Sequence, residues 1–296
     1  MVQPVAVCRS YLYVPAQAGT RLDQAGSRGA DAMIVDLEDS VAPNRKQVAR
    51  GAAAAWLSDP AAHRSGQAWL RVNSGDLGLE DIRHTFRSGL TGVCVAKAAS
   101  RDQMKRVDEV LSQVELEHGV KVNSTEVMPL IESARGLRDV DEIAQSPRVT
   151  LLQFGELDLA ADLGLTHAGY AEMTTLRLQV IVASAAAGLR PPVAAVSPDY
   201  RHLTALFTST QHLRATGFVG RAAIHPAQLA PIHKAFAVSP QEQADAQEIV
   251  RRYEEALALG VGAIVGSDGR MLDEAAVRRS RRTLWLAATF KERTVG

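Results

Sequence analysis

Little in this sequence stands in excess. Only two cysteines, Cys8 and Cys94, occur in 296 residues. Cys94 lies in the apolar run GVCVAK, where a thiol behaves as a small buried hydrophobe. Two cysteines so placed do not suggest a disulfide framework, which favours a reducing compartment. An excess of charge is lacking too: Lys+Arg and Asp+Glu both number 33, for a formal net charge of zero. That balance does not suit a nucleic acid or an anionic membrane surface as partner. No apolar run approaches the ~20 residues of a membrane span. The N-terminal stretch MVQPVAVCRSYLYVP has no basic region followed by an apolar core, so no secretory signal is read there. Internal repeats, linkers and low-complexity tracts are missing as well. The expectation from these absences is a cytoplasmic globular protein without nucleic-acid or membrane partners.

What is present is an ordinary globular balance, 46% hydrophobic and 22% charged. Short apolar runs alternate with longer amphipathic segments. Strands are expected at Tyr11–Val14, Met33–Leu37, Ala68–Val72, Gly92–Ala96, Glu126–Ile131, Thr150–Phe154, Val193–Val196 and Phe218–Ile224. Helical patterns fall between them, at Thr20–Arg28, Arg45–Leu57, Leu79–Ser88, Arg101–His118, Ala134–Ala144, Thr174–Ala187, Tyr200–Ala215 and Pro226–Phe236. Eight strands, each followed by a helix, read as an α/β fold of the TIM (β/α)8 barrel type. An open doubly wound sheet competes, but its glycine-rich first turn does not fit YVPAQAGTR. The nearest glycine series, Gly260, Gly262 and Gly266, has the wrong spacing and follows a helix. A barrel accounts for residues 1–236. Residues 237–296 read as a C-terminal helical extension: a capped helix from SPQEQ to Gly260, a short GAIV segment, a turn at Ser267-Asp268-Gly269 and a helix over Leu272–Ala288. Such an extension is either a cover for its own barrel or an arm that docks on a neighbouring subunit.

TIM-barrel active sites are built at the C-terminal ends of strands, and there the ionisable residues gather. Strand two ends in Asp36-Leu37-Glu38-Asp39, strand three in Arg71-Val72-Asn73 and strand four at Lys97. Strand five leads into Glu132, strand six into Glu156 and Asp158, and strand eight into His225-Pro226. One acid after a strand is ordinarily a helix cap; several strand ends together are harder to explain so. Glu132 and Asp158 suit Mg²⁺, which takes one or two carboxylates and leaves room for substrate. Arg71 has the planar fork that grips a substrate carboxylate. The bland readings are that Arg71 neutralises Asp36 or Glu38, that Glu132 pairs with Arg135, and that Asp158 caps a helix.

Taken in order, ADAMIVDLEDSVAP (30–43), WLRVN (69–73), PLIESARG (129–136), FGELDLAADLG (154–164), AAIHPAQ (222–228) and GRMLDEAAVRRSRR (269–282) resemble the citrate lyase β-subunit family of the HpcH/HpaI aldolase/citrate lyase group. The resemblance implies a TIM barrel, Mg²⁺ held by Glu132 and Asp158, and a trimer or a multiple of one. It implies that Glu132 also contacts substrate, that Arg71 binds substrate and serves catalysis, and that Asp36, Glu38 and Asp39 surround the metal without ligating it. In the malyl-CoA and citramalyl-CoA lyase branch, the motif matching Met271-Leu272-Asp273 brings an aspartate to a neighbour's active site, so Asp273 is the expected acid. The sequence departs from the family at Ala16 in the VPG turn, at Ala18 and Gln24 where basic residues are frequent, at Leu157 where Glu is frequent, at Ala96 and at Arg221. The altered first loop is one that helps hold CoA in the family. The implied reaction is Mg²⁺-dependent carbon–carbon cleavage of a β-hydroxyacyl-CoA thioester to an acetyl thioester and a 2-oxo acid. Thioester hydrolysis in the same pocket, a thioester-free 2-oxo-acid aldolase, and the β-subunit of a multi-subunit citrate lyase are the alternatives. The run Arg278, Arg279, Arg281 and Arg282 reads as a solvated helix face.

Overall fold

The structure, a computed structural model, describes residues 7–17, 19, 22, 24–59, 66–166, 169–266, 269 and 271–292. Ala18, the first residues of the expected helix Thr20–Arg28, and Ser267-Asp268 of the expected turn lie outside the described residues. Two compact units are present, Val7–Ala235 and a smaller one that runs from Phe236.

The larger unit is a closed barrel of parallel strands: β1 (Ser10–Pro15), β2 (Ala32–Asp36), β3 (Gln67–Val72), β4 (Gly92–Val95), β5 (Glu126–Ile131), β6 (Gln153–Phe154), β7 (Val193–Ala194) and β8 (Gly220–Ala223), with β8 closing on β1. Because strand side chains alternate, one series from each strand fills the interior. Tyr11, Ala32, Ile34, Trp69, Cys94, Met128, Leu130, Leu151, Val193 and Ala222 form that core. The other series is buried under helices, as a parallel sheet requires. Tight packing leaves no room for added atoms: a Cβ on Gly92 would lie 2.4 Å from the Trp69 ring.

Most of the expected helices are present: Lys46–Ser58, Gly75–Thr85, Arg101–Glu117, Tyr170–Ala186, Leu203–Thr216 and Leu229–Phe236. Three readings need correction. Where a helix was expected over Thr20–Arg28, the described residues show a 3-10 turn at Ala25–Arg28, ended by Gly29 in the left-handed region (φ 78°). Ala134–Ala144 is two short helices, Ala134–Arg138 and Val140–Ala144. A further helix, Glu156–Asp162, follows β6, where the expected helices include none and the reading of Asp158 as a helix cap was the one hint.

In the smaller unit, Ser239 and Glu242 form a reciprocal capping box on the helix Pro240–Ala258. That helix packs against Glu274–Glu292. Between them Ile264–Val265 pairs antiparallel with Met271–Leu272. Tyr253, Val277 and Phe290 are buried, whereas Leu257, Leu259, Met271 and Trp285 are exposed. Arg278, Arg279, Arg281 and Arg282 are exposed, as a solvated face should be.

Candidate active site at the C-terminal rim

The alternation that fills the barrel also builds the site. Two residues beyond Ile34, Trp69, Leu130, Leu151, Val193 and Ala222 of the core stand Asp36, Arg71, Glu132, Gln153, Ala195 and Ile224. All six line one cavity of about 410 Å³. The inward-facing series thus turns from apolar to polar as it leaves the barrel, on four of these six strands. Asp39 and Ser40 from the loop after β2, and Glu156, Leu157 and Asp158 from the helix after β6, line it too.

Asp36 and Arg71 are register partners across β2 and β3. Their side chains meet in a bidentate pair, Nε to Oδ1 at 2.6 Å and Nη2 to Oδ2 at 2.7 Å. A third guanidinium nitrogen, Nη1, reaches Glu38 at 3.1 Å. Burial alone would raise the Asp36 pKa, but Arg71 outweighs it and holds the group below its ordinary 3.8. Burial works against the charged form of Arg71 as well, and Asp36 more than offsets that, so the guanidinium pKa is raised. Of the two sequence-based readings of Arg71, the charge-balancing one is therefore present in the geometry, and the cavity-lining position is present beside it. The guanidinium also lies 5.0 Å above the Tyr13 ring. Tyr13 donates a hydrogen bond to Gln153 Oε1 at 2.9 Å, and the Cys94 thiol lies 3.5 Å from the same oxygen. Tyr13 and Gln153 were missed from the sequence; Gln153 interrupts the apolar run LLQF, and that interruption was the available signal, whereas Tyr13 blends into its strand.

The loop after β2 is held from outside the cavity. Lys46 Nζ donates to the carbonyls of Leu37 and Glu38, both at 2.7 Å, and to Asn73 Oδ1 at 2.9 Å. Asn73 Nδ2 donates to Asp81, which Arg50 also holds. These contacts fix where Glu38 and Asp39 point. Glu38 is buried and Asp39 is half exposed. Glu38 accepts from Lys97 Nζ at 2.7 Å.

Glu132 is buried, with Oε1 accepting the Lys97 backbone N–H at 2.7 Å. Lys97 donates that bond from the left-handed region, at φ 50°, where a non-glycine residue is uncommon. Among the described residues this contact stands in place of the alternative pairing with Arg135. Gly155 makes room for the side chain: a Cβ there would fall 2.5 Å from the Glu132 Cβ and 3.0 Å from Oε2. Burial, then the proximity of Asp158 and Glu38, pushes the Glu132 pKa up to about 8, against the Lys97 N–H and the Arg71 charge. Asp158 is exposed in the first turn of helix Glu156–Asp162. Glu156 has a different role, since Arg177 binds it bidentately at 2.8 and 2.5 Å. His225 caps the turn Pro226–Gln228 and stacks on Tyr200 at 4.8 Å. Asp273, in the smaller unit, caps the helix Glu274–Glu292 through the N–H groups of Ala275 and Ala276.

The donor set fits a hard dication. Glu132 and Asp158 offer oxygen ligands on one side of the cavity, and among the described residues neither carboxylate has a cationic side chain bonded to it. Two carboxylates in that state repel each other, and a bound dication relieves the repulsion.

The family model HpcH/HpaI aldolase/citrate lyase matches residues 9–226. A second model, a C–C bond lyase of the TIM-barrel fold, matches residues 191–289. The chain is 28% identical over 287 residues to the citrate lyase subunit beta of Leuconostoc mesenteroides subsp. cremoris, covering 94% of this chain and 93% of that one. It is 27% identical over 299 residues to the mitochondrial citramalyl-CoA lyase of Homo sapiens, covering 96% and 87%. The crystal structure of the protein CitE from Mycobacterium tuberculosis in complex with magnesium, acetoacetate and coenzyme A superimposes with a TM-score of 0.76 at 27% identity, covering 96% of this chain and 98% of that one.

Proposed function

Because the chain belongs to the HpcH/HpaI aldolase/citrate lyase family, we propose that it is a Mg²⁺-dependent carbon–carbon lyase acting on a β-hydroxyacyl-CoA thioester of the citramalyl, malyl or citryl type. The observation that supports this most is the placing of Glu132 and Asp158, without cationic partners, on the lip of a cavity that also contains Arg71.

In this reading Glu132 and Asp158 hold the ion. When bound, Mg²⁺ supplies Lewis acidity toward the hydroxyl and carboxylate oxygens of the substrate. Cleavage breaks the bond between the hydroxyl-bearing carbon and the α-carbon of the thioester. The electron pair leaves with the α-carbon, the hydroxyl oxygen gives up its proton to water and becomes the carbonyl of the 2-oxo acid, and a proton returns to the α-carbon. Arg71, fixed by Asp36 and Glu38, offsets negative charge beside the breaking bond. Lys97 and Gly155 keep the Glu132 carboxylate aimed at the ion. Asp273 is the acid that returns the proton, supplied by a neighbouring subunit in a trimer or a multiple of one. Exposed Met271, Leu259 and Trp285 on the extension support such a docking arm. Two buried thiols support a cytoplasmic location.

The test is to supply malyl-CoA, citramalyl-CoA and citryl-CoA with Mg²⁺ and identify the products. Release of a 2-oxo acid and acetyl-CoA is expected. Release of the free hydroxy acid would make the protein a thioester hydrolase, and cleavage only of acyl-carrier-protein thioesters would make it a subunit of a larger citrate lyase. Co-refolding Asp273→Asn with Glu132→Gln tests the shared site. Mixed oligomers should recover activity that neither variant has alone; hetero-oligomers without recovery would refute sharing.

A further inference from the structure

We propose that Gln153 binds the substrate: its side-chain amide, held by Tyr13 at the floor of the cavity, donates a hydrogen bond to the substrate carboxylate that Arg71 also contacts. This deepens the lyase reading, on which it rests, by adding a residue to its site. Tyr13, Leu130 and Val196 both line the cavity and pack on the barrel core, so they form its floor. Gln153 lies among them. It is the register partner of Leu130, two residues before Glu132, and is only 3% exposed. A buried amide on a largely apolar floor needs partners at both of its ends.

The carbonyl end has them. Gln153 Oε1 accepts from the Tyr13 hydroxyl at 2.9 Å and from the Cys94 thiol at 3.5 Å. Burial raises the pKa of both donors, that of Cys94 to about 12, so each keeps its proton. An oxygen with two lone pairs can accept two such bonds, whereas an amide nitrogen can accept neither. That fixes which way the amide faces. Its nitrogen has no partner among the described residues. Nor is it sealed off, since Ser184 Oγ is the one side-chain nitrogen or oxygen among those residues that is both buried and unbonded. Nε2 is therefore open to the cavity that Gln153 lines, with two N–H groups to donate.

The neighbours of the amide select its ligand. The Arg71 guanidinium lies 5.0 Å above the ring of the same Tyr13 whose hydroxyl holds Gln153. Asp36 and Glu38 take three of the five N–H groups of Arg71. One tyrosine thus positions a cation and a neutral donor, both of which line the cavity. A carboxylate is acceptor-only and has two oxygens, so it is the group that can use both.

Binding and turnover are read separately. The full-length protein with Mg²⁺ is titrated calorimetrically with pyruvate, a carboxylate probe without a thioester. Gln153→Met keeps the length and removes the donor. Pyruvate should then bind about 10–100-fold more weakly, the loss of one hydrogen bond to a charged acceptor, with Mg²⁺ affinity unchanged. Tyr13→Phe keeps the ring under Arg71 but releases the amide, and should weaken pyruvate by about threefold. Added to Gln153→Met it should weaken binding no further, because Tyr13 acts through the amide. In thioester cleavage both single variants should raise KM with kcat nearly unchanged. A purely structural role would lower the unfolding temperature and leave pyruvate affinity at the parent's value, and that result overturns the proposal. Weaker Mg²⁺ binding by Gln153→Met overturns it too, since the amide oxygen would then serve the ion, as does a parent that binds no pyruvate. If the variants shift pyruvate as expected but the parent cleaves no thioester, the lyase reading fails and the role of Gln153 stands. If the parent cleaves a thioester and Gln153→Met binds pyruvate as the parent does, the role of Gln153 alone fails.

Discussion

At the N-terminal end of the barrel the buried carboxylates meet arginines, whereas at the C-terminal end carboxylates outnumber the cations that reach them. Before β1 and β2, Arg9 holds Asp31 with Nε and Nη2, both at 2.9 Å, and adds its backbone N–H at 2.8 Å. Before β6, Arg148 binds both oxygens of Glu115 at 2.9 Å and also contacts Asp108. Arg190, before β7, pairs with Glu126 at the start of β5. Opposing shifts follow: Asp31 and Glu115 are held below their ordinary values by their arginine and N–H donors against the pull of burial, while Glu132 and Glu38 are raised, chiefly by burial. The same residue types therefore serve stability where their charges close and ligand binding where they do not.

Removing a carboxylate from the open end should have the largest effect on activity. Glu132→Gln or Asp158→Asn keeps the side chain's size and deletes one ligand charge. Cleavage with saturating Mg²⁺ should fall by about 10³-fold, the equivalent of several kcal/mol of charge stabilisation. Thermal stability without metal should not fall, because the deleted charge had no cationic side chain bonded to it. A variant that cleaves at the parent rate would move the metal site elsewhere.

At the closed end the effect should move from activity to stability. Arg148→Met leaves Glu115, which is 0% exposed, without its guanidinium. Breaking a buried pair from one side costs about 3–5 kcal/mol, read from urea unfolding, while the folded fraction should keep the parent's kcat/KM. Unchanged stability would mean that the N–H groups of Asn123 and Thr125, which also bond Glu115, suffice alone.

Arg71, like Arg177 on Glu156, resembles the closed end although it lies at the open one, since Asp36 binds it as tightly as Asp31 binds Arg9. Arg71→Lys separates its two roles. A lysine supplies the charge but not the fork, so activity should fall about 10–100-fold, equivalent to 1.4–2.7 kcal/mol, in a protein that still folds. Full activity would leave Arg71 as a charge balancer for Asp36 and Glu38 only.

How much of this was legible beforehand follows from the physics of each element. A parallel barrel needs apolar strands covered on both faces, so MIVDLED and PLIES declare both the strand and the point where it ends in acid. The helix Glu156–Asp162 was legible only as the alternative in which Asp158 caps a helix, because its first turn supplies Glu156 and Asp158, which read as site residues. Strand six was expected over Thr150–Phe154 and pairs only at Gln153–Phe154; its flanking residues are buried regardless, and apolarity reports burial, not ladder pairing. Nor could the sequence alone assign partners. Arg71 was a candidate for substrate, Asp36 or Glu38 until the β2–β3 register set it opposite Asp36. Glu156 and Asp158 lie two residues apart, yet Arg177, on a distant helix, neutralises only the first.

The smallest expected effect sharpens the comparison through pH. Burial alone would raise the Asp31 pKa, and the Arg9 hydrogen bonds outweigh it, so the folded value lies below the ordinary 3.8. A carboxylate depressed in the folded state contributes stability that is complete above its unfolded pKa and is lost as pH falls through its folded pKa. Asp31→Asn should therefore cost about 1–2 kcal/mol near neutral pH, the worth of a charge-assisted contact that is not fully buried. Its deficit relative to the parent should shrink below pH 3.8, where the parent loses the same charge. Urea unfolding of both proteins between neutral pH and acid measures this. A deficit that stays constant with pH would show that Asp31 acts through shape and not through charge, and the contrast between the two ends of the barrel would then rest on Arg148 and Arg190 alone.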